Sequence, residues 1–544
     1  MHPRVPRRTA AALALLVAFA LGACTRTGGT TAGGLHAWTQ PDRVRIGSTE
    51  EPDSLNELFA NSDAADQIAN LIDAPVFRYD DHGNFVPELA REIPTQRNGG
   101  VSRDGRTIVL HLRGGMTWSD GAPLDARDLR FTWQAVMNPR NDTRQRAGWD
   151  DITAIDLPDR DTAVVHLREP YAAILGIFAI GGGGYPPLPA HLLAQLPDLN
   201  RAPFNEHPIA SGPYVLDRWD HGSALEFSAN PHYWRGRPAI AHITYRIIPS
   251  SDTLFTALQT HDIDVVDVVG DDQIDRLGTL DGYATQKRLV ANWRHLDMNC
   301  ARPILRDVRV RRAIAQAIDW DRMNRTIYHG YNVRAISDIV PTSWAAPSVP
   351  AWRYDLAAAK RSLDAAGWTV GPGGIRRHDG VPLELTVSTT VSKPSNIQAE
   401  VQMEQQLLAA GIKLTIKNYP TSLLFAQNGP LYSGRYDLSL TIDTNAPDPD
   451  NEGLWSAAFI PPHGANTSFL ADPVLTTTSH LAAHTFDRAQ RRTLYQREET
   501  RIHELVPTVF LYWQVAYAAV NSDLHHYRAA QYLSSNWNAW EWSY

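Results

Sequence analysis

The stretch from Gly105 to Trp133, GRTIVLHLRGGMTWSDGAPLDARDLRFTW, admits few folds. Thr107 to Leu112 alternate β-branched or apolar residues with polar ones, the pattern of a half-buried strand. Arg113-Gly114-Gly115 ends it. Ser119-Asp120-Gly121 supplies turn chemistry, because an Asp carboxylate accepts from the backbone two residues on and Gly accommodates positive φ. Asp125 then stands where it can cap a helix whose apolar side includes Leu129, Phe131 and Trp133. A strand, a tight turn and a capped helix in that order belong to an α/β protein.

The rest of the chain repeats the alternation. Val44 to Thr49 reads as a strand that leaves through Glu50-Glu51-Pro52-Asp53, and Asp66 to Phe77 has a helical rhythm. Asp80 to Asn84 is a hairpin turn, and Thr162 to Leu167 is another alternating strand. The run Gly181 to Gly184 before Tyr185-Pro186-Pro187 cannot be regular structure. Its glycines let a backbone pass close to a ligand or another strand, which makes Gly183 and Tyr185 candidate ligand contacts. Asp307 is an expected N-cap, Gly367 and Gly411 are expected helix stops, and Leu383 to Ser388 is a strand. Strands alternating with helices imply βαβ units and a partly parallel sheet.

The N-terminus carries Arg4, Arg7 and Arg8, then an uncharged run from Thr9 to Ala23, too short to span a bilayer comfortably. This is the pattern of an export signal (1–23). It ends in Leu21-Gly22-Ala23-Cys24, which matches a bacterial lipoprotein box with Cys24 as the acylated residue. Residues 24–41 begin with a Thr/Gly-rich stretch and read as a lipidated, flexible tether. Only Cys24 and Cys300 occur, so a lipidated Cys24 leaves no intrachain disulfide. Cleavage before Cys24 leaves 521 residues (544 less 23), enough for more than one domain. With the three signal arginines gone, 48 basic residues face 59 acidic ones, a net charge of -11 that argues against nucleic acid as a partner.

No catalytic constellation stands out. There is no G-x-S-x-G, no C-x-x-C, and His503-Glu504 meets Pro507 where a second zinc ligand would fall. His525-His526 reads as a solvated surface pair. Neither a metal nor a cofactor is expected, and the chain is not expected to be an enzyme.

Several segments resemble the bacterial extracellular solute-binding proteins of family 5, the peptide- and nickel-binding subunits of ABC importers. They are Gly105 to Trp133; Val86 to Ala90; Pro208-Ile209-Ala210-Ser211-Gly212-Pro213-Tyr214; Asn230 to Gly236; His261-Asp262-Ile263-Asp264, with His261 where the family has Gly; Leu296 to Asn299 with Asp307 to Ala313; and Tyr354 to Gly367. The resemblance implies an α/β, two-lobed periplasmic-binding-protein fold with an extra domain and a hinged central cleft. It implies a discontinuous first lobe (42–57, 205–272 and 510–544), an extra domain (58–204) and a second lobe (273–509). Glu50, Glu51 and Asn299 fall in segments that border the family's cleft.

In Thr441 to Trp455, Asp448-Pro449-Asp450-Asn451 resembles the family loop that binds a ligand ammonium. The anchor position, three residues before Asp448, is Asn445 instead of Asp, and Asn cannot offset a buried positive charge. Either Asp443 takes the role, or the ligand has no free amine there. Arg302, Arg334 and Arg353 are candidates for a ligand carboxylate. The resemblance implies a monomeric, extracytoplasmic receptor for short peptides, held to a membrane by lipid and partnered by ABC permease and ATPase subunits. An oligosaccharide, a nickel chelate or an opine-like ligand suits the same fold. Readings of another class are a secreted hydrolase and an envelope protein with no transporter.

Overall fold

A computed structural model describes residues 34–181, 183–391, 394–532 and 534–544. The export signal, Cys24 and the start of the expected tether lie outside the described residues. The tether is not free over His36 to Thr39. The His36 N–H and the Thr39 hydroxyl both donate to Asp523 Oδ2, at 2.7 and 2.6 Å. Trp38 stacks on His261 at 4.4 Å between ring centroids. His261 itself stands at φ 61°, so the family's Gly position keeps its left-handed backbone here.

The opening segment forms as its residues dictate. Thr107–His111 is a strand paired with Thr162–Leu167, which in turn pairs with Ile152–Asp159. Asp120 accepts from the Ala122 N–H at 3.0 Å, and Gly121 takes φ 87°. The helix Ala126–Met137 begins with a reciprocal capping box between Asp125 and Asp128. Asp307 caps Val308–Ala317, and Gly367 follows Leu356–Ala365 with φ 85°. The helix expected over Asp66 to Phe77 is shifted. It runs Asp63–Ile72 from a Ser62 cap, and Phe77 opens the strand Phe77–Tyr79. Pro75 disfavours helical backbone at the residue before it, so the chain turns extended there.

Buried apolar side chains gather into three large cores. One draws on residues between Leu58 and Phe204 and includes Trp118 and Trp149. A second draws on residues between Leu296 and Tyr512. A third combines Val44 to Ile72, Ala210 to Val265 and Ala518 to Trp542. The last two are spanned by one mixed sheet of eleven strands. At one end Arg43–Ser48 lies parallel to both His242–Ile247 and Val265–Val266. At the other, Glu384–Ser388 lies parallel to Lys413–Ile416 and Leu438–Thr444.

Two long antiparallel strands, Tyr283–Met298 and Thr508–Asn521, join these ends. Thr508–Asn521 has 14 residues, or about 45 Å at roughly 3.3 Å per residue. Its Val509, Leu511 and Tyr512 lie in the second core, and its Ala518 and Val520 lie in the third. The pairing of these strands slips between Leu289 and Trp293 and again between Arg294 and His295.

Two of the recognised motifs explain each other. Glu88 is fully buried and accepts from the Tyr233 hydroxyl at 2.6 Å, Trp234 Nε1 at 3.1 Å and Arg235 Nη2 at 2.8 Å. Burial alone would raise its pKa, but Arg78 and Arg235 outweigh that and hold it below the usual carboxylate range. The Asn230 to Gly236 turn thereby fastens the third core to the first. Gly212 does the same for the helix Asp63–Ile72: its N–H donates to the Ile72 carbonyl at 2.8 Å. A Cβ there would stand 2.7 Å from both Asp73 N and the Ile72 carbonyl carbon. Gly212→Ala should therefore lower stability by about 2 kcal/mol, the usual cost of overpacking. Calorimetric unfolding checks this, and an unchanged midpoint would refute the close-approach account.

Candidate functional site

Alternation along Tyr283–Met298 puts Trp293, His295 and Asp297 on one face of the sheet. On the neighbouring strand, Asp443 is registered opposite Trp293 and Thr441 opposite His295. The rings of Trp293 and His295 stack at 4.1 Å. His295 Nδ1 donates to Asp297 Oδ1 at 2.8 Å, and its Nε2 lies 3.4 Å from Asp443 Oδ2. Thr467 donates its hydroxyl to Asp297 Oδ2 at 3.0 Å. His295 and Asp297 are buried, whereas the Asp443 side chain is 41% exposed.

Burial by itself would depress the His295 pKa. Asp297 and Asp443 outweigh it and push the value up to about 10, so the ring is an imidazolium at neutral pH. Its charge holds Asp297 below the usual carboxylate range against the same burial. One cation between two carboxylates leaves a net negative charge, and Asp443 is the member that meets solvent. A ligand ammonium would complete the row.

The expected anchor position is differently employed. Asn445 Oδ1 accepts from Trp293 Nε1 at 2.7 Å, and its Nδ2 donates to the Asp338 carbonyl. Both ends of the amide are thus committed within the protein. Asp448 is held by Arg491 through two hydrogen bonds of 2.6 and 2.9 Å. Asp450 accepts from the Tyr171 hydroxyl at 3.0 Å, a bond between the Asp448-Pro449-Asp450 turn and the core of residues 58–204.

The other predicted contacts are engaged elsewhere. Glu50 Oε2 accepts from the Ala64 N–H at the start of the helix Asp63–Ile72. Glu51 accepts from Trp219 Nε1, His221 and the Gly222 N–H at 3.0–3.2 Å, clasping a surface hairpin. Gly183 takes φ 90° hard against the Gln145 side chain. The Tyr185 hydroxyl accepts from the Gln145 N–H and donates to the Gln145 carbonyl, both at 3.0 Å. The glycine loop therefore passes close to another segment of its own unit. Asn299 Nδ2 donates to the carbonyls of Gly434 and Tyr436.

Arg302 pairs with Asp437, Arg334 donates to the Trp352 carbonyl, and Arg353 is exposed. Reading the motifs missed Trp293 and His295. Their signal was the polar alternation Trp293, His295, Asp297 within a strand, visible only once a strand was placed there.

Residues 84–460 match the family described as bacterial extracellular solute-binding proteins, family 5. Protein XP55 of Streptomyces lividans is 32% identical over 384 residues, 70% of this chain and 67% of that protein. The oligopeptide-binding protein AppA of Bacillus subtilis is 24% identical over 94% of both chains. Its structure in complex with a nonapeptide has a TM-score of 0.77 over 93% of this chain and 99% of that one, at 22% identity. NikZ from Campylobacter jejuni, in complex with Ni(L-His), has a TM-score of 0.78 over 93% of this chain and all of that one, at 23% identity.

The fold is that of the two-lobed periplasmic binding proteins. The chain belongs to family 5 of the bacterial extracellular solute-binding proteins, and it is a binding protein instead of an enzyme. Among the described residues no helix is long and apolar enough to cross a membrane.

The His295 row has a pH signature. A histidine whose folded pKa is raised adds stability that is full below about pH 6.5 and fades as pH climbs to about 10. His295→Gln should flatten that alkaline decline and cost about 3 kcal/mol at neutral pH, because Asp297 is left buried without its cation. Urea unfolding of both proteins between pH 6 and 10 checks it, and parallel curves would refute it.

Proposed function

We propose that this chain is a lipid-anchored extracytoplasmic receptor that closes around a short peptide and delivers it to an ABC permease and ATPase. The observation that carries the peptide reading is the uncompensated charge of Asp443 beside the family's anchor position. Asn445 is consumed by Trp293 and the Asp338 carbonyl, so Asp443 receives the ligand's free ammonium group. The name of AppA and its nonapeptide complex support a peptide as the ligand class. The first lobe (42–57, 205–272, 510–544) with its extra domain (58–204) and the second lobe (273–509) act as the two jaws. The strands Tyr283–Met298 and Thr508–Asn521 act as the connections about which they move. The receptor works as a monomer, with Cys24 carrying the lipid. The likeness to NikZ favours a nickel chelate as the second reading.

Calorimetry against di- to pentapeptides, with nickel–histidine as the comparison, tests the assignment. Asp443→Asn should weaken free-amine peptides at least tenfold while leaving N-acetylated ones unchanged, consistent with loss of one charge-assisted contact. Equal loss for both would return the role to another residue. Binding of the nickel complex alone would overturn the peptide reading. Cys24→Ser should move the protein from the membrane fraction to the soluble one, and retention in the membrane would refute lipid anchoring through that residue.

A further inference from the structure

Outside the Asp443 row, three metal-ligating side chains meet where the unit of residues 58–204 touches the second lobe. Glu169 follows the strand Thr162–Leu167. His480 lies on the helix Pro473–Ala483, and His484 closes that helix as its C-cap. One ligand atom from each of the three lies within 4.8 Å of the other two. Spacing of i, i+4 places the two histidines on one helix face, with ring centroids 4.0 Å apart. Two contacts beside them hold the units together: Ala172 N–H to the Ala483 carbonyl at 2.7 Å, and Tyr171 to Asp450.

The hydrogen bonds prepare both rings for a cation. His484 Nδ1 lies 2.7 Å from the His480 carbonyl, which can only accept, so Nδ1 carries the proton and the neutral ring keeps its lone pair on Nε2. That Nε2 faces Glu169 Oε1 at 3.4 Å. His480 Nδ1 lies 3.1 Å from Glu452 Oε1, which accepts a hydrogen bond from Nδ1 and leaves Nε2 as the nitrogen that could bind a metal. A carbonyl or carboxylate behind each histidine is the arrangement that orients metal-bound imidazoles. Two ligands of a tetrahedral zinc, each about 2.0–2.1 Å from the ion, stand roughly 3.3 Å apart, close to the His484–Glu169 separation. His480 and Glu169 are half exposed, so water can fill the remaining position.

We propose that Glu169, His480 and His484 bind a divalent ion of the zinc class, and that the ion fastens the extra domain to the second lobe. Imidazole with carboxylate suits zinc among the available divalent ions. Because the ligands come from two units, the ion binds only when they are docked and shifts the population towards the closed form. This site shares no residue with the Asp443 row and does not depend on what the cleft holds.

The full chain, stripped of metal and free of peptide, is titrated with zinc alone by calorimetry, and its radius of gyration is followed by solution scattering. The expected result is one zinc per chain with a decrease in radius. Affinity should fall at least tenfold in His484→Ala and in Glu169→Gln, both with unchanged circular dichroism. Equal zinc affinity in the wild type and a His480→Ala/His484→Ala double variant would overturn the site. Loss of affinity in the histidine variants with none in Glu169→Gln, and no change in radius, would overturn the bridge between the units.

Discussion

Two antiparallel strands, Tyr283–Met298 and Thr508–Asn521, pair along the middle of the sheet, and Thr508–Asn521 is buried in one core at its start and in another at its end. A strand cannot leave its sheet without exposing its N–H and C=O groups, so continuous pairing obliges both cores to share one sheet. Every other element is arranged around that obligation. The parallel strands on each flank pack their own helices, and the core of residues 58–204 fastens to one flank through Glu88. The pairing slips between Leu289 and Trp293, next to the residues that form the candidate site.

The chemistry of that site rests on a charge imbalance. Burying His295 and Asp297 would be costly singly. Together, with Thr467 donating to the carboxylate, they satisfy one another. The third member, Asp443, is left half in solvent with only a 3.4 Å approach to a shared imidazolium. Such a group is cheap to leave hydrated, because water screens its charge. Asn445 contributes differently, holding Trp293 and the Asp338 carbonyl so that the aromatic wall and the loop keep their positions. Asp443, two residues earlier, lies on the strand Leu438–Thr444 and keeps its carboxylate turned to solvent.

Charge also hides where the amino-acid pattern suggests a solvated surface. The helix Arg488–Leu505, RAQRRTLYQREETRIHEL, is among the most polar segments of the chain, yet Arg491, Glu498 and Glu499 are buried within it. Arg491 is explained by its paired bonds to Asp448. Burial pushes the carboxyl groups of Glu498 and Glu499 well above their ordinary range, which favours their neutral forms. The family's Asp448-Pro449-Asp450 turn is therefore a junction: one acid docks the helix through Arg491, and the next reaches Tyr171 of the extra domain.

Local order was legible in the sequence by itself. The strand Thr107–His111, the Asp125 and Asp307 caps, the glycine stops at Gly367 and the family motifs all depend on contacts within a few residues, and short-range sterics and hydrogen bonding decide those. The helix Asp63–Ile72 starts at its Ser62 cap and stops short of Pro75, which is also a local matter. What only the tertiary structure decided is which polar groups meet. Glu51, Gly183, Tyr185 and Asn299 look like ligand contacts in a motif, but each is engaged by a segment that no spacing rule identifies. His295, Asp297 and Asp443 lie up to 148 residues apart and form one electrostatic unit because two strands pair in one register. Long-range pairing is chosen by the whole sheet, and a linear pattern does not encode its own partners.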